Sequence, residues 1–356
     1  MTELQVHRSA PHPVQASTGH EPQATRTRRA PDGATGVART PGSTRLVARH
    51  LSRTTSVAPS APNPTQIQKR LETYFGQMSG PYTVNGKSVE VPAGFRMRDG
   101  MNQVDTGPYP HDHDVKVYRK RIEKALGADA YRKVAADVGM VVIGKGTAKQ
   151  VRRVTQALID SPAFKPYAKL PAETAIRRMA WDYGVGMDCS GYVHSAFLYS
   201  RGSGDRAASA ARYDLGTPDN SGLQHPLAHG FRKVPPAQAR PGDYIKLSHG
   251  ADGTGHKLIV MANDVLDDPV RAEVSSSLGS KPGARVHIIT VASSWGAGGD
   301  PDNGGVMQKM WAYDESSGRW ADVVKLSSGH LFVGPSSTTG PYEHQLDGVF
   351  RPRTEK

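Results

Sequence analysis

Residues 184–200 read GVGMDCSGYVHSAFLYS and contain Cys189, the only cysteine of the 356-residue chain. Asp188 is a residue type that often caps helix N-termini, and apolar residues follow Cys189 at helical spacing. We therefore expect a helix that begins at Cys189. Free N–H groups and the helix dipole in a first turn favour a thiolate, which would lower the pKa of this thiol. The same pattern is also typical of a cysteine in a hydrophobic core, so this segment alone leaves both interpretations open.

The sequence before this helix predicts mainly helices. Ile67, Leu71 and Phe75 have the spacing of one helical face, and the Asn-Gly pair at residues 85–86 is typical of a hairpin turn. The predicted elements are a helix over 65–78, a hairpin over 82–91, two helices over 114–144 that are broken near Gly127, and helices over 147–161 and 171–183.

The sequence after this helix predicts strands. Short β-branched or alternating segments are separated by turns rich in Gly, Asp, Pro and Ser. The predicted strands are 244–248, 256–264, 285–295, 307–314 and 330–334. A helical half followed by an antiparallel-looking strand half indicates an α+β fold.

The first 64 residues are rich in Pro, Ala, Thr, Ser and Arg and contain almost no large apolar side chains. Such a composition cannot offset the entropy of ordering the chain, so we expect a disordered basic arm. The start of the arm lacks the apolar segment of a Sec-type signal peptide. No stretch of the chain approaches the roughly 18 apolar residues of a membrane span.

The net charge of +12 favours anionic partners such as nucleic acid, an anionic membrane or an acidic cell-wall polymer, although it would also simply keep the protein soluble. One cysteine excludes an intramolecular disulfide and a multi-thiolate zinc site. His111, Asp112, His113 and Asp114 stand together, but no second cluster supports them, and a polar loop is the preferred interpretation. We expect neither a metal nor a cofactor.

A nucleophilic thiol needs a base, and His256 is the candidate that the sequence favours. It follows Gly255 and opens a predicted strand, where a rigid element would hold its ring within reach of a neighbouring helix.

Three ordered motifs resemble one family. DCSGYV at 188–193, RPGDYI at 240–245 and GHKLIVMAND at 255–264 are similar to the NlpC-type cell-wall cysteine peptidases, which belong to a papain-like superfamily that includes CHAP amidases. The resemblance covers residues 171–350, about half of the chain. It implies a papain-like catalytic domain over 171–356, with the nucleophile helix packed on an antiparallel sheet, behind a mainly helical region over 65–170 and the arm over 1–64.

The resemblance also implies roles for single residues. Cys189 corresponds to the family's nucleophile, His256 to its base and Asp188 to the aspartate before the cysteine, which would cap the helix. The family's third residue is a polar group that orients the imidazole, and Ser293 is better placed for this than His287, which lies early in its strand. Tyr183 is a candidate for the family's tyrosine near the oxyanion. Lys257 stands where the family has an apolar residue, and we expect its side chain on the surface.

By resemblance, the protein would cleave amide bonds in the stem peptides of peptidoglycan. A catalytically inactive wall-binding or structural module, and an effector that acts on a host protein, are the alternatives. Without a Sec signal, we expect delivery by a non-Sec route, in which residues 1–64 engage a secretion or injection apparatus that delivers a toxin or lysis effector. Equal export of full-length and arm-deleted protein would remove this idea. Binding of nucleic acid through the arm is a third and weaker interpretation.

Overall fold

The computed structural model describes residues 63–96, 115–202, 215, 223–248, 255–266, 268–296, 302, 304–326, 330–341 and 345–355. The predicted arm lies outside the described residues except for Asn63 and Pro64. The polar segment from His111 to Asp114 lies outside them as well.

The helices end where the sequence supplies caps and breaks. Asn63 accepts a hydrogen bond from the Gln66 backbone at the start of the first helix, and Thr147 forms a capping box with Gln150. Gly127 separates two helices with a φ of 75°. The helices are α1 (Pro64–Gln77), α2 (Val115–Leu126), α3 (Ala128–Val141), α4 (Ala148–Ile159), α5 (Ala172–Asp182), α6 (Cys189–Ser200) and α7 (Asp268–Leu278), with 3-10 segments at Pro162–Tyr167, Pro226–Ala228 and Pro236–Gln238. The predicted helices α1 to α6 are confirmed.

A small hairpin follows α1. Its strands are β1 (Tyr82–Val84) and β2 (Lys87–Val89). Asn85 and Gly86 between them have φ values of 51° and 74°. Both central residues of a type I′ turn need positive φ, which Asn-Gly provides at low cost. The predicted hairpin is confirmed.

The second sheet has eight strands in the order β3-β10-β4-β5-β6-β7-β8-β9, and every neighbouring pair is antiparallel. The α+β class is therefore confirmed. The strands are β3 (Phe231–Val234), β4 (Tyr244–Ser248), β5 (Gly255–Val265), β6 (Val286–Trp295), β7 (Gly305–Asp314), β8 (Trp320–Lys325), β9 (Leu331–Ser337) and β10 (Gln345–Pro352). The sequence did not predict β3, β8, β10 or α7.

The two faces of this sheet have separate cores. One face packs on α6, where Ile259 and Met261 of β5 join the cluster that contains Tyr192 and Phe197. We call this the helix face. On the opposite face, Leu258 and Val260 join a cluster with Leu247, Val291, Trp295, Trp311 and Trp320. Side chains alternate along a strand, so neighbouring buried residues of β5 such as Leu258 and Ile259 face opposite cores.

The helices before α6 share the core of the helix face. Leu71 of α1, Val138 of α3 and Leu158 of α4 belong to the same buried cluster as Tyr192 and Ile259. Residues 58–356 form one compact unit. Within the described residues, no helix has the length and apolar content needed to cross a lipid bilayer.

Candidate active site

Cys189 is the first residue of α6, as predicted. Asp188 precedes it as the N-cap, and its carboxylate accepts a hydrogen bond of 2.5 Å from the Gly191 backbone. Every residue from 182 to 198 is buried except Cys189, which is partly exposed. Cys189 is therefore the one residue between 182 and 198 with partial access to solvent.

A loop between α3 and α4 packs directly against this helix start. The Gly144 carbonyl accepts a hydrogen bond of 3.0 Å from the Asp188 backbone. A Cβ atom added to Gly191 would lie 2.2 Å from that carbonyl, and one added to Gly144, whose φ is +71°, would lie 2.1 Å from the Arg96 carbonyl. The glycine of the Asp-Cys-Ser-Gly motif is thus required by the close approach of this loop.

The same loop brings a buried lysine to the site. Lys145 is 6% exposed, and its ammonium lies 2.5 Å from the Asp188 carboxylate. It also donates a hydrogen bond to the Ser190 hydroxyl. Sequence reasoning missed Lys145, since its only local signal is a lysine between two glycines.

Lys257 of β5 also faces the thiol, and the prediction that its side chain lies on the surface is wrong. It pairs with Lys246 of β4, two residues from the pair Tyr244–Ile259, which belongs to the helix face. Lys257 is 8% exposed, and its ammonium donates a hydrogen bond of 2.8 Å to the side chain of Gln224. Its backbone N–H donates to the Cys189 sulfur. Sequence reasoning missed Gln224 entirely.

His256 lies on the opposite face of the sheet. It pairs with Leu247, and its ring centroid is 4.4 Å from that of Trp295. Both of those neighbours belong to the cluster on the face away from α6. The structure therefore does not bring the His256 side chain to the face that holds Cys189, because neighbouring residues of a strand point to opposite sides.

The other predicted residues take structural positions. The Ser293 hydroxyl donates a hydrogen bond of 2.6 Å to the Lys257 carbonyl rather than to an imidazole. His287 pairs with Val265 at the far end of β5, roughly 20 Å along the strand from Ser293, and its Nδ1 lies 3.1 Å from the Asn263 side-chain oxygen. The structure therefore places His287 far from Cys189. Tyr183 is 8% exposed and belongs to the main core.

Ser294 is a further residue that sequence reasoning missed. Its hydroxyl donates a hydrogen bond of 2.7 Å to the backbone carbonyl of Met187, and the side chain is completely buried. Because Met187 directly precedes Asp188, this bond ties β6 to the segment that enters α6. The bond therefore helps to hold the start of α6 at a fixed distance from the sheet.

The electrostatics of the site differ from the prediction of a lowered thiol pKa, which is wrong. Burial raises the pKa of the Cys189 thiol, and the Asp188 carboxylate raises it further. The Lys257 ammonium, the Lys257 backbone N–H and Lys145 oppose this rise without cancelling it. Burial also lowers the pKa of Lys257, while Cys189 and Asp188 act in the other direction.

A cavity of about 420 Å³ lies beside Gln224 and Lys246. It is lined by Gln224, which holds the Lys257 ammonium, and by Lys246, its cross-strand partner. Lys246 forms an ion pair of 3.0 Å with Asp347 at the cavity wall. Leu227 in the lining is 56% exposed.

Comparison of the chain with protein-family models, with curated proteins and with solved structures gave no match. Any likeness to NlpC-type peptidases therefore rests on the three motifs alone. Among the described residues, no group of three or more His, Cys, Asp or Glu side chains is placed to hold a metal ion. The chemistry available at the site is that of a thiol next to amines.

Proposed function

We propose that the protein is a thiol-dependent hydrolase of amide bonds, with a papain-like catalytic domain and Cys189 as the nucleophile. One observation carries the proposal: Cys189 is the single partly exposed residue between residues 182 and 198, at the start of a capped helix. The two lysines at this point, Lys145 and Lys257, are both buried. A cysteine with a purely packing role needs neither partial exposure nor buried ammonium groups.

The reaction begins with attack of the Cys189 sulfur on an amide carbonyl carbon. The carbonyl oxygen becomes an oxyanion, which backbone N–H groups at the start of α6 would stabilise. Collapse of this intermediate releases the amine and leaves a thioester. Water then hydrolyses the thioester and restores the thiol.

The substrate class that we propose is the stem peptide of peptidoglycan. It is supported by the resemblance of the three motifs and by a net charge of +12, which favours an anionic wall polymer. The cavity beside Gln224 has a volume suited to part of a peptide. Delivery by a non-Sec route, through residues 1–64, belongs to the same proposal.

The test is digestion of purified peptidoglycan by wild-type protein and by Cys189→Ala, with products identified by mass. We expect wild type to release peptides with new amine and carboxyl termini and Cys189→Ala to release none, because no other thiol exists in the chain. Equal release by the two proteins would show that the cysteine is not the nucleophile.

A second candidate function is a catalytically inactive wall-binding module. The position of His256 on the face away from Cys189 favours it, since the resemblance assigns the base to that residue. For such a module, wild type and Cys189→Ala would both sediment with peptidoglycan, and neither would release peptide products that mass spectrometry detects.

A further inference from the structure

We infer that the Lys257 amine, and not the His256 imidazole, exchanges the proton with the Cys189 thiol, and that Gln224 positions this amine. This inference rests on the proposed function, since it names the base of the same reaction.

The register of β5 places Lys257, and not His256, on the face that holds Cys189. Lys257 and Ile259 lie on the helix face with α6, whereas His256 lies on the other face against Trp295. The Lys257 backbone N–H already donates to the Cys189 sulfur, so β5 reaches the thiol at this residue. An imidazole on the far side of the sheet would have to cross the strand to reach the same atom.

The charges around Cys189 also favour Lys257 as its proton partner. The charged groups that face Cys189 are Asp188 at the helix start, Lys145 from the loop after α3 and Lys257 from β5. Lys145 is paired with Asp188, and the more distant Lys246 is paired with Asp347. The Lys257 ammonium is held instead by the neutral amide of Gln224. Its buried charge is therefore balanced when Cys189 is a thiolate, and a neutral Lys257 amine matches a neutral thiol.

The directions in which the two pKa values move agree with this pairing. Burial raises the pKa of the Cys189 thiol and lowers that of the Lys257 ammonium. Each change favours the neutral form of its group, the Cys189 thiol and the Lys257 amine. A neutral amine has the free electron pair that it needs to take the thiol proton.

With Lys257 as the base, every proton transfer in the reaction has a donor and an acceptor. The neutral Lys257 amine takes the proton of the Cys189 thiol as sulfur bonds to the carbonyl carbon. The resulting ammonium gives that proton to the leaving nitrogen when the C–N bond breaks, which leaves a thioester and a free amine. In the second half, the amine takes a proton from the attacking water and returns it to the sulfur as the C–S bond breaks.

Alkylation by iodoacetamide tests the inference on the full chain, because Cys189 is the only thiol. The rate is measured against pH for wild type, Lys257→Met, Lys257→Arg and His256→Gln. We expect Lys257→Met to move the profile to higher pH and to slow alkylation at pH 7 by about tenfold or more, because the thiolate loses the cation that balances it. His256→Gln should keep the wild-type profile.

The arginine variant separates a base from a mere positive charge. Lys257→Arg keeps a cation near the sulfur but cannot accept a proton, since the guanidinium stays charged. We expect it to alkylate with a profile closer to wild type than that of Lys257→Met. Its hydrolysis of peptidoglycan should fall by about a hundredfold or more, which is the usual contribution of a general base.

Different results would contradict the lysine base and the proposed hydrolase function. If Lys257→Met keeps the wild-type profile, or if His256→Gln moves it instead, the lysine is not the base, while Cys189 remains the nucleophile. If the folded wild-type thiol does not react at any pH and only the unfolded protein does, the proposed function is wrong as well. Thermal unfolding of Lys257→Met confirms that the variant is folded; a buried lysine replaced by methionine retains most of its packing.

Discussion

At the scale of single residues, Asp188 does two things at the start of α6. Its Oδ1 atom accepts from the Gly191 backbone, which caps the helix, and its Oδ2 atom accepts from the Lys145 ammonium. Both side chains of the ion pair are more than nine-tenths buried. Breaking a buried pair by removing one partner leaves an uncompensated charge, which costs more than the pair contributes.

We expect Asp188→Asn and Lys145→Met each to lower the free energy of unfolding by about 3–5 kcal/mol. Asparagine caps helices as well as aspartate does, so the first variant removes the charge and keeps the cap. The double variant should lose clearly less than the sum of the two single variants, because it leaves no unpaired charge. Denaturant unfolding of the four proteins measures this coupling, and additive losses would show that the two side chains act independently.

The sequence indicated Cys189 and Asp188 because both follow a local rule, the capped first turn of a helix. It could not indicate Lys145, whose role comes from a loop 43 residues away in the chain. The error about His256 and Lys257 has a different cause. β5 is buried on both faces, so Leu258 and Val260 are as apolar as Ile259 and Met261. Without an alternation of polar and apolar residues, the sequence does not show which face a residue takes.

At the scale of elements, the sequence predicted β4 to β7 and β9, but not β3, β8, β10 or α7. β4 to β7 form consecutive hairpins with clear turn residues. β10 lies between β3 and β4, carries Gly348, and ends at Pro352, all of which weaken its strand pattern. α7 was missed because Val274 and Leu278 are its only fully buried apolar residues among those described.

The turn between β7 and β8 depends on one carboxylate. Asp314 accepts hydrogen bonds of 2.8 Å from the Ser316 backbone, the Ser316 hydroxyl and the Ser317 hydroxyl. Burial by itself would raise the pKa of Asp314, but the serine hydrogen bonds outweigh it and lower the pKa from 3.8. A carboxyl group with a lowered folded-state pKa stabilises the fold above the unfolded value, and this stabilisation is lost as pH falls through the folded value.

We therefore expect Asp314→Asn to be less stable than wild type at pH 7 by about 1–2 kcal/mol. The difference should shrink as pH falls below 3.8, the ordinary value for this group. The free energies of unfolding of Asp314→Asn and wild type are therefore compared at pH 7 and at a pH below 3.8. Asp264→Asn, which changes an exposed carboxylate of β5, is the matched control. A difference between Asp314→Asn and wild type that stays constant with pH would contradict the argument.

At the scale of the whole molecule, the site is assembled from both sides of residue 171. The thiol and Lys257 come from α6 and β5, and Lys145 comes from the loop that precedes α4. α1 packs against α6, where the rings of Tyr74 and Tyr192 are 5.9 Å apart. The core therefore runs across residue 171, where the sequence predicted the start of the catalytic domain.

This shared core predicts how fragments behave. A fragment of residues 171–356 contains all three motifs, yet it lacks Leu71, Val138 and Leu158, which cover the helix face. It also leaves Asp188 without Lys145. We expect it to show no cooperative thermal transition, whereas residues 58–356 unfold in a single transition near that of the full chain. Differential scanning calorimetry of the two fragments and the full chain decides the matter. A cooperative transition of the shorter fragment, with a thiol that alkylates at the wild-type rate, would show that the site does not need the helices before residue 171. Lys145 would then have no part in the reactivity of Cys189, and only residues of α6 and the sheet could supply its base.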